Sequence, residues 1–289
     1  HGKKLFPDRD RRALPPPAGS DRQLVAEQMS LFNLRRTWNH LARHDPLWAV
    51  LTAPEKSGQR WQLDEFFATG VAEIEAKLGA IKKGYPSLRT GQALDFGCGV
   101  GRLSQALAGH FEKVVGVDIA DDMLALARQY NRQGERVQYL HNARSDLRRL
   151  EAGRFDLVCS LITLQHMKTE YARAYIAEFV RVCAPDYIIL FQLPEHSPDV
   201  GPPERLERLR FSWWPPTLWM RLKRISLQWI RLYIRTKKEM EMYGIPHDEV
   251  CSLLEHHGAH LLNTYWNDAA GLALSSFDYI ALKRDIAKS

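Results

Sequence analysis

The sequence predicts an α/β protein built on a largely parallel sheet with helices on both faces, and three observations carry that expectation. Short apolar runs at residues 92–96, 113–118, 137–140, 155–160 and 187–191 read as strands. They divide the stretch from 92 to 194 into four strand-then-helix units and a fifth strand. The first strand runs into Asp95-Phe96-Gly97-Cys98-Gly99-Val100-Gly101, an acid and three alternate glycines that open a helix. Beyond residue 245, a helix over 247–257 closed by Gly258 precedes strands over 259–265 and 277–282, which brings the sheet to seven.

In chain order, residues 1–20 are basic and proline-rich and read as a flexible tail without an assigned function. Residues 21–91 form a helical extension. From Asp21, the apolar positions Leu24, Leu31, Leu34, Trp38 and Leu41 share one helical face until Asp45-Pro46 ends it, and Leu47-Trp48-Ala49-Val50-Leu51 follows as a short apolar segment. A second helix starts at Asp64 with Phe67, Val71, Ile74, Leu78 and Ile81 on its apolar face, stops at Gly84 and Pro86, and is expected to pack on the sheet edge. Residues 92–289 form the main domain, interrupted at about 195–245 by a lid-like helical insertion after the fifth strand.

The glycine run lets the chain bend sharply and a ligand lie against bare backbone. A dinucleotide fingerprint needs a third glycine where this chain has Arg102, and a carboxylate at Asp95 repels a pyrophosphate. A cationic ligand fits better. The run closely resembles motif I of the class I S-adenosylmethionine-dependent methyltransferases, a resemblance that extends over residues 92–283 apart from the insertion. It implies a Rossmann-like seven-stranded sheet whose seventh strand enters antiparallel beside the sixth. It also implies S-adenosylmethionine as cofactor, held by Asp95, Gly97, Gly99 and Gly101 on its methionine side.

The nucleoside side follows from the next two strands. Asp118 ends the second, where a carboxylate can accept both ribose hydroxyls. Ile119 stands where the family packs an apolar side chain on adenine, and Asp121 is expected to cap the next helix. His141-Asn142-Ala143 occupies the place of the family's adenine-binding acid. Asn142 is the best match, since its amide oxygen can accept the same hydrogen bond, with Ala143 beside it and Asp146 as the competing register. One departure is Ala184-Pro185-Asp186-Tyr187, which replaces the Pro-Gly-Gly turn common before the fifth strand.

The fourth strand leads into Leu161-Ile162-Thr163-Leu164-Gln165-His166-Met167, the expected reaction edge. Methyl transfer expels a neutral leaving group, so alignment and, where needed, removal of one proton suffice. His166 is the candidate base, near a helix start whose positive dipole end keeps an imidazole neutral; a capping or packing histidine is the competing reading. Gln165 and Thr163 are placed to orient substrate.

Composition bounds the alternatives. The 289 residues are 45% hydrophobic and 26% charged, ordinary for a soluble globular chain, and no apolar run nears the ~20 residues of a membrane span. Residues 1–17 lack the apolar core of a signal peptide, so the expected location is the cytoplasm. Cysteines 98, 159, 183 and 251 have no metal-like spacing, which predicts free thiols and no metal; Cys183-Ala184-Pro185 does not match the Pro-Cys order of cytosine-C5 methyltransferases. The Asn/Asp-Pro-Pro-Tyr type of motif used on adenine and glutamine is missing after the fourth strand.

Residues 205–238 hold ten Lys and Arg against Glu207 alone, so the formal charge of +6 is local to the insertion. If Pro216 opens a helix there, Leu218, Leu222, Ile225, Trp229, Leu232 and Tyr233 face one side and the arginines another. That pattern suits a lid, a contact with an anionic membrane surface, or both. The expected acceptor is a small-molecule or lipid- or glycan-linked hydroxyl. An RNA-modifying enzyme, stacking Trp213, Trp214, Trp219 and Trp229 on bases, is disfavoured by the insertion's apolar content. An inactive binding protein of the same fold is disfavoured by the intact Asp95, glycines and Asp118.

Overall fold

The computed structural model describes residues 19–86, 88–196, 240–267, 269–270 and 275–284. One sheet holds seven strands: β1 (Gln92–Phe96), β2 (Lys113–Asp118), β3 (Val137–His141), β4 (Phe155–Ser160), β5 (Cys183–Pro194), β6 (Ala259–Asn267) and β7 (Ser276–Lys283). Their order is β3-β2-β1-β4-β5-β7-β6, with β1 to β5 parallel and β7 antiparallel to both of its neighbours. The central strands are apolar on both faces because both faces are covered; Ala93, Leu94, Asp95 and Phe96 are all buried. The chain winds outward from β1 in one direction and from β4 in the other, so a crevice opens at the carboxyl ends of these two strands.

Helices α1 (Gly19–His44), α2 (Pro46–Val50), α3 (Leu63–Gly84), α4 (Arg102–Leu107), α5 (Asp121–Tyr130), α6 (Thr169–Val182) and α7 (His247–His256) surround the sheet. On one face, α6 and α7 bury Tyr175, Phe179, Val250 and Leu254 against Phe96, Val158, Phe191 and Tyr279. On the other, α3, α4 and α5 bury Ile74, Leu78, Leu107 and Leu124 against Ala93, Val114, Leu157 and Ile188. A third apolar cluster joins Leu41 and Ala49 of the extension to Phe66, Val100 and Met123. No helix among the described residues is long and apolar enough to cross a membrane.

Several expectations change. The segment after Asp45 is a helix, α2, entered through Pro46 at its first turn. α3 lies across a sheet face rather than on an edge, and its Lys77 pairs with the buried Asp278 of β7. Its buried face runs through Phe66, Gly70, Ile74, Leu78 and Ile81, with Val71 exposed. Gly70 turns the helix by one position. A Cβ there would stand 2.6 Å from the Arg102 carbonyl oxygen, so α3 and α4 approach on bare backbone, a contact that a count of large apolar residues cannot register.

Only three of the four expected units carry a helix, because residues 142–154 connect β3 to β4 through turns. β5 begins earlier than expected, at Cys183, and its pairing with β4 is irregular at the start, where Asp186 takes a φ of 65°. The unusual turn sequence thus becomes an irregular strand entry. Asp121 does not cap α5: Ala120 is the N-cap without a side-chain bond, and Asn39 of α1 accepts from the Asp122 N–H instead. The first 18 residues and the basic positions 205–238 lie outside the described residues.

Candidate active site

The crevice at the carboxyl ends of β1, β2, β3 and β4 is one open cleft with mostly apolar walls and a few convergent polar groups, the make-up of a small-molecule site. Its floor is the glycine run. The N–H groups of Gly97 and Cys98 donate to the Val117 carbonyl at 2.7 and 3.0 Å, which folds the loop over the end of β2. Gly97 has a φ of 76°, and a Cβ on it would collide with Thr163, so the floor stays open only with glycine there. Gly101 does not line the cleft. Its φ of 84° makes the left-handed entry to α4, and the hydroxyl end of Tyr139 stands where a Cβ would go, so the turn itself needs glycine here.

Three polar groups of the expected cofactor set face the cleft. Asp95 is 1% exposed, and Ser104 Oγ donates to it at 2.6 Å. Burial raises its carboxyl to about 6, opposed by the Ser104 hydrogen bond and the Arg102 charge. Asp118 accepts from the Gly99 N–H through Oδ2 and from the Ala120 N–H through Oδ1, both at 2.8 Å, and burial raises it too. The Ile119 N–H also acts on this carboxylate, whose two oxygens offer about four acceptor positions in all. Asn142 spends its amide N–H groups on the Asp146 carbonyl at 3.0 Å and on more distant partners, which turns its oxygen free of that loop.

The two residues of the competing registers are placed differently: Asn142 lines the cleft, while Asp146 pairs with Arg148 and Arg144, and the Arg148 hydrogen bond lowers its carboxyl. Ile119 lines the cleft as well. Ala143 does not; it is exposed on the outer side of the loop, because successive residues leaving a strand point to opposite sides.

The reaction edge forms the far wall. Ile162 takes a φ of 56°, costly for a β-branched side chain, and a single 3₁₀ turn, Leu164–His166, follows. His166 is half-buried on the cleft wall, and burial lowers its imidazole to about 4, so the ring is neutral at neutral pH. Its Nδ1 lies 3.2 Å from the Glu241 carbonyl oxygen and its Nε2 3.2 Å from Gln165 Nε2.

The sequence did not point to the roof. Leu31, Leu34 and Trp38 of α1 and Val50 of α2 close the cleft, and Trp38 lies edge-on to His166. α1 is fastened to the N-terminal turn of α5 by Arg35–Asp121 and by Arg43–Asp122 at 2.7 Å. Periodicity marks the apolar stripe of α1 but not what the stripe covers. All four cysteines are free, and burial raises the Cys98 thiol beside the acids. Among the described residues, no group of three His, Cys, Asp or Glu side chains is placed to hold a metal ion.

Comparison with known proteins agrees with this geometry. Residues 93–186 match a family profile described as a methyltransferase domain. The ubiquinone biosynthesis O-methyltransferase of Bordetella pertussis is 32% identical over 125 residues, 43% of this chain and 49% of that protein. The Aromatoleum aromaticum protein of the same name is 34% identical over 77 residues, 26% of this chain and 33% of its own length. The chain thus spans between a third and a half of these curated relatives. Magnesium protoporphyrin IX methyltransferase from Synechocystis with bound S-adenosylhomocysteine superposes with a TM-score of 0.57 at 18% identity, covering 88% of this chain and 99% of that one. A Burkholderia thailandensis 1,6-didemethyltoxoflavin-N1-methyltransferase, with its acceptor and S-adenosylhomocysteine bound, gives 0.51 at 17% identity, covering 96% and 98%. At these identities the two structures establish the fold.

Proposed function

We propose that this chain, whose residues 93–186 match a methyltransferase-domain profile and whose sheet has the order β3-β2-β1-β4-β5-β7-β6, transfers a methyl group from S-adenosylmethionine to a hydroxyl of a small-molecule or lipid- or glycan-linked acceptor. One observation carries the reading: Asp95, Gly97, Gly99, Asp118, Asn142 and His166 line a single cleft at the switch point of the sheet. The residues present suit the cofactor. A buried, destabilised carboxylate at Asp95 suits a cationic amino group, the Asp118 carboxylate suits ribose hydroxyls, and the Asn142 oxygen suits an adenine amino group. The bound cofactor supplies an electrophilic methyl on a positively charged sulfur.

The chain's own groups then have few tasks. Apolar walls at Leu31, Leu34, Trp38, Leu161 and Met167 exclude water and suit an apolar acceptor. His166, neutral and on the wall, takes the hydroxyl proton as the oxygen becomes the nucleophile. The O-methyltransferase relatives support oxygen as the methylated atom, and the bound S-adenosylhomocysteine of the two solved neighbours supports the cofactor. The insertion is proposed as a lid that also meets an anionic membrane, a reading that rests on the sequence of residues 205–238. Incubation with methyl-labelled S-adenosylmethionine and fractionated cell extract tests the acceptor class. Label in lipid or small-molecule fractions is expected; label in RNA moves the assignment to nucleic acid.

A further inference from the structure

A line of hydrogen bonds runs from the end of β4 to the segment before α7, and none of its members can be reversed. The Ile162 N–H donates to Gln192 Oε1 at 3.1 Å. Gln192 Nε2 donates to Gln165 Oε1 at 3.0 Å and also to Ser276 Oγ. Gln165 Nε2 then meets His166 Nε2, and His166 Nδ1 meets the Glu241 carbonyl. A backbone N–H only donates and a carbonyl only accepts, so the two ends dictate every bond between them. Turning either amide would set N–H against N–H. Gln165, Gln192 and Ser276 are 2%, 1% and 0% exposed, so a mismatch there would set buried N–H groups against each other at the cost of unpaired polar groups.

We propose that Gln192 and Gln165 are positioning residues that lock the His166 imidazole in the tautomer with its proton on Nδ1 and its lone pair on Nε2. This is the form in which a histidine can take a proton at Nε2. In the ligand-free chain that lone pair holds the Gln165 N–H, and an acceptor hydroxyl replaces it on entering the cleft. The surroundings offer His166 no competing charge partner among the described residues. α1 presents the Trp38 ring, the Glu241 carboxylate takes the Tyr243 hydroxyl at 2.5 Å, and Lys168 and Glu170 of the following turn are exposed. The lock is a property of the resting chain; its use in catalysis rests on the His166 assignment proposed above.

Nitrogen-15 NMR of the full chain with labelled histidine tests it, with the His166 signals identified by their loss in His166→Gln. At pH 7 the expected spectrum has a protonated Nδ1 and a bare Nε2; a proton on Nε2, or an exchanging mixture of tautomers, overturns the proposal. Gln192→Glu adds a second arm. A carboxylate cannot donate, so Gln165 turns its N–H groups toward it and offers its oxygen to Nε2, and the His166 titration midpoint rises by about one pH unit or more. An unchanged midpoint in folded Gln192→Glu whose new carboxyl is ionised, as read from its carbon-13 shift, overturns the lock, and if that variant does not fold or keeps the carboxyl protonated, the tautomer of the parent chain decides alone. Should the tautomer hold while His166→Ala transfers methyl at the parent rate, the lock stands and the base assignment falls.

Discussion

The indole of Trp38 meets the imidazole of His166 edge to face, with ring centroids 5.3 Å apart and planes at 69°. The first residue belongs to the helical extension and the second to the reaction edge, so the extension is a wall of the site. Burial is what lowers the His166 imidazole to about 4. Trp38→Ala admits water, and the titration midpoint is expected to move up toward the ordinary 6.5, with a loss of about 2 kcal/mol in stability for a half-buried indole. Imidazole titration by NMR and thermal unfolding check both; an unmoved midpoint shows that Trp38 does not shield the ring.

His166→Ala is expected to lower turnover by ~10²- to 10⁴-fold, the usual cost of removing a general base. Cofactor affinity should stay nearly unchanged, since the base acts on the acceptor. Equal loss of turnover and cofactor affinity would mark His166 as a structural side chain. Single-turnover rates with labelled cofactor, beside equilibrium binding, separate the two.

Asp95 sets a pH dependence. Its folded-state value of about 6 lies above the ordinary 3.8, so ionising it costs the ligand-free fold stability as pH rises through that interval. A cation docking on Asp95 favours the carboxylate and therefore expels a proton wherever the free chain is protonated. S-adenosylhomocysteine affinity is expected to be flat above about pH 7 and to fall below about pH 6 by up to about tenfold per unit. Calorimetry in buffers of different ionisation enthalpy should find proton release at about pH 5.5 and none at about pH 8. Affinity constant from acid to neutral pH would show that no cation pairs with Asp95.

The basic insertion carries its own test. Flotation with anionic vesicles is expected to carry the protein upward at low salt, with less binding at high salt and in the Trp219→Ser, Trp229→Ser double variant. Protein that stays in the soluble fraction leaves the lid alone.

The sheet was legible because its signals are local. β2 and β4 coincide with the apolar runs that predict them, and β1 ends at the acid-glycine junction. Asp95, Gly97, Gly99, Asp118, Ile119, Asn142 and His166 reach one cleft because each sits at or just beyond a strand end on the same edge of the sheet. Gly101 and Ala143 fall outside it because a motif records spacing, not the direction in which each residue points. Trp38 and Gln192 were not legible as site residues for a related reason. They come from α1 and from near the carboxyl end of β5, and only the tertiary fold brings them to the reaction edge.

Calorimetry of S-adenosylhomocysteine against the parent chain and Asp118→Ala, with folding checked by circular dichroism, tests the central claim without knowledge of the acceptor. The expected result is one-to-one binding in the parent, weakened in Asp118→Ala by ~1.5 to 3 kcal/mol, the range for a hydrogen bond to a charged group. No binding to the folded parent chain, or equal affinity in a folded Asp118→Ala, would contradict the assignment of this cleft to the cofactor.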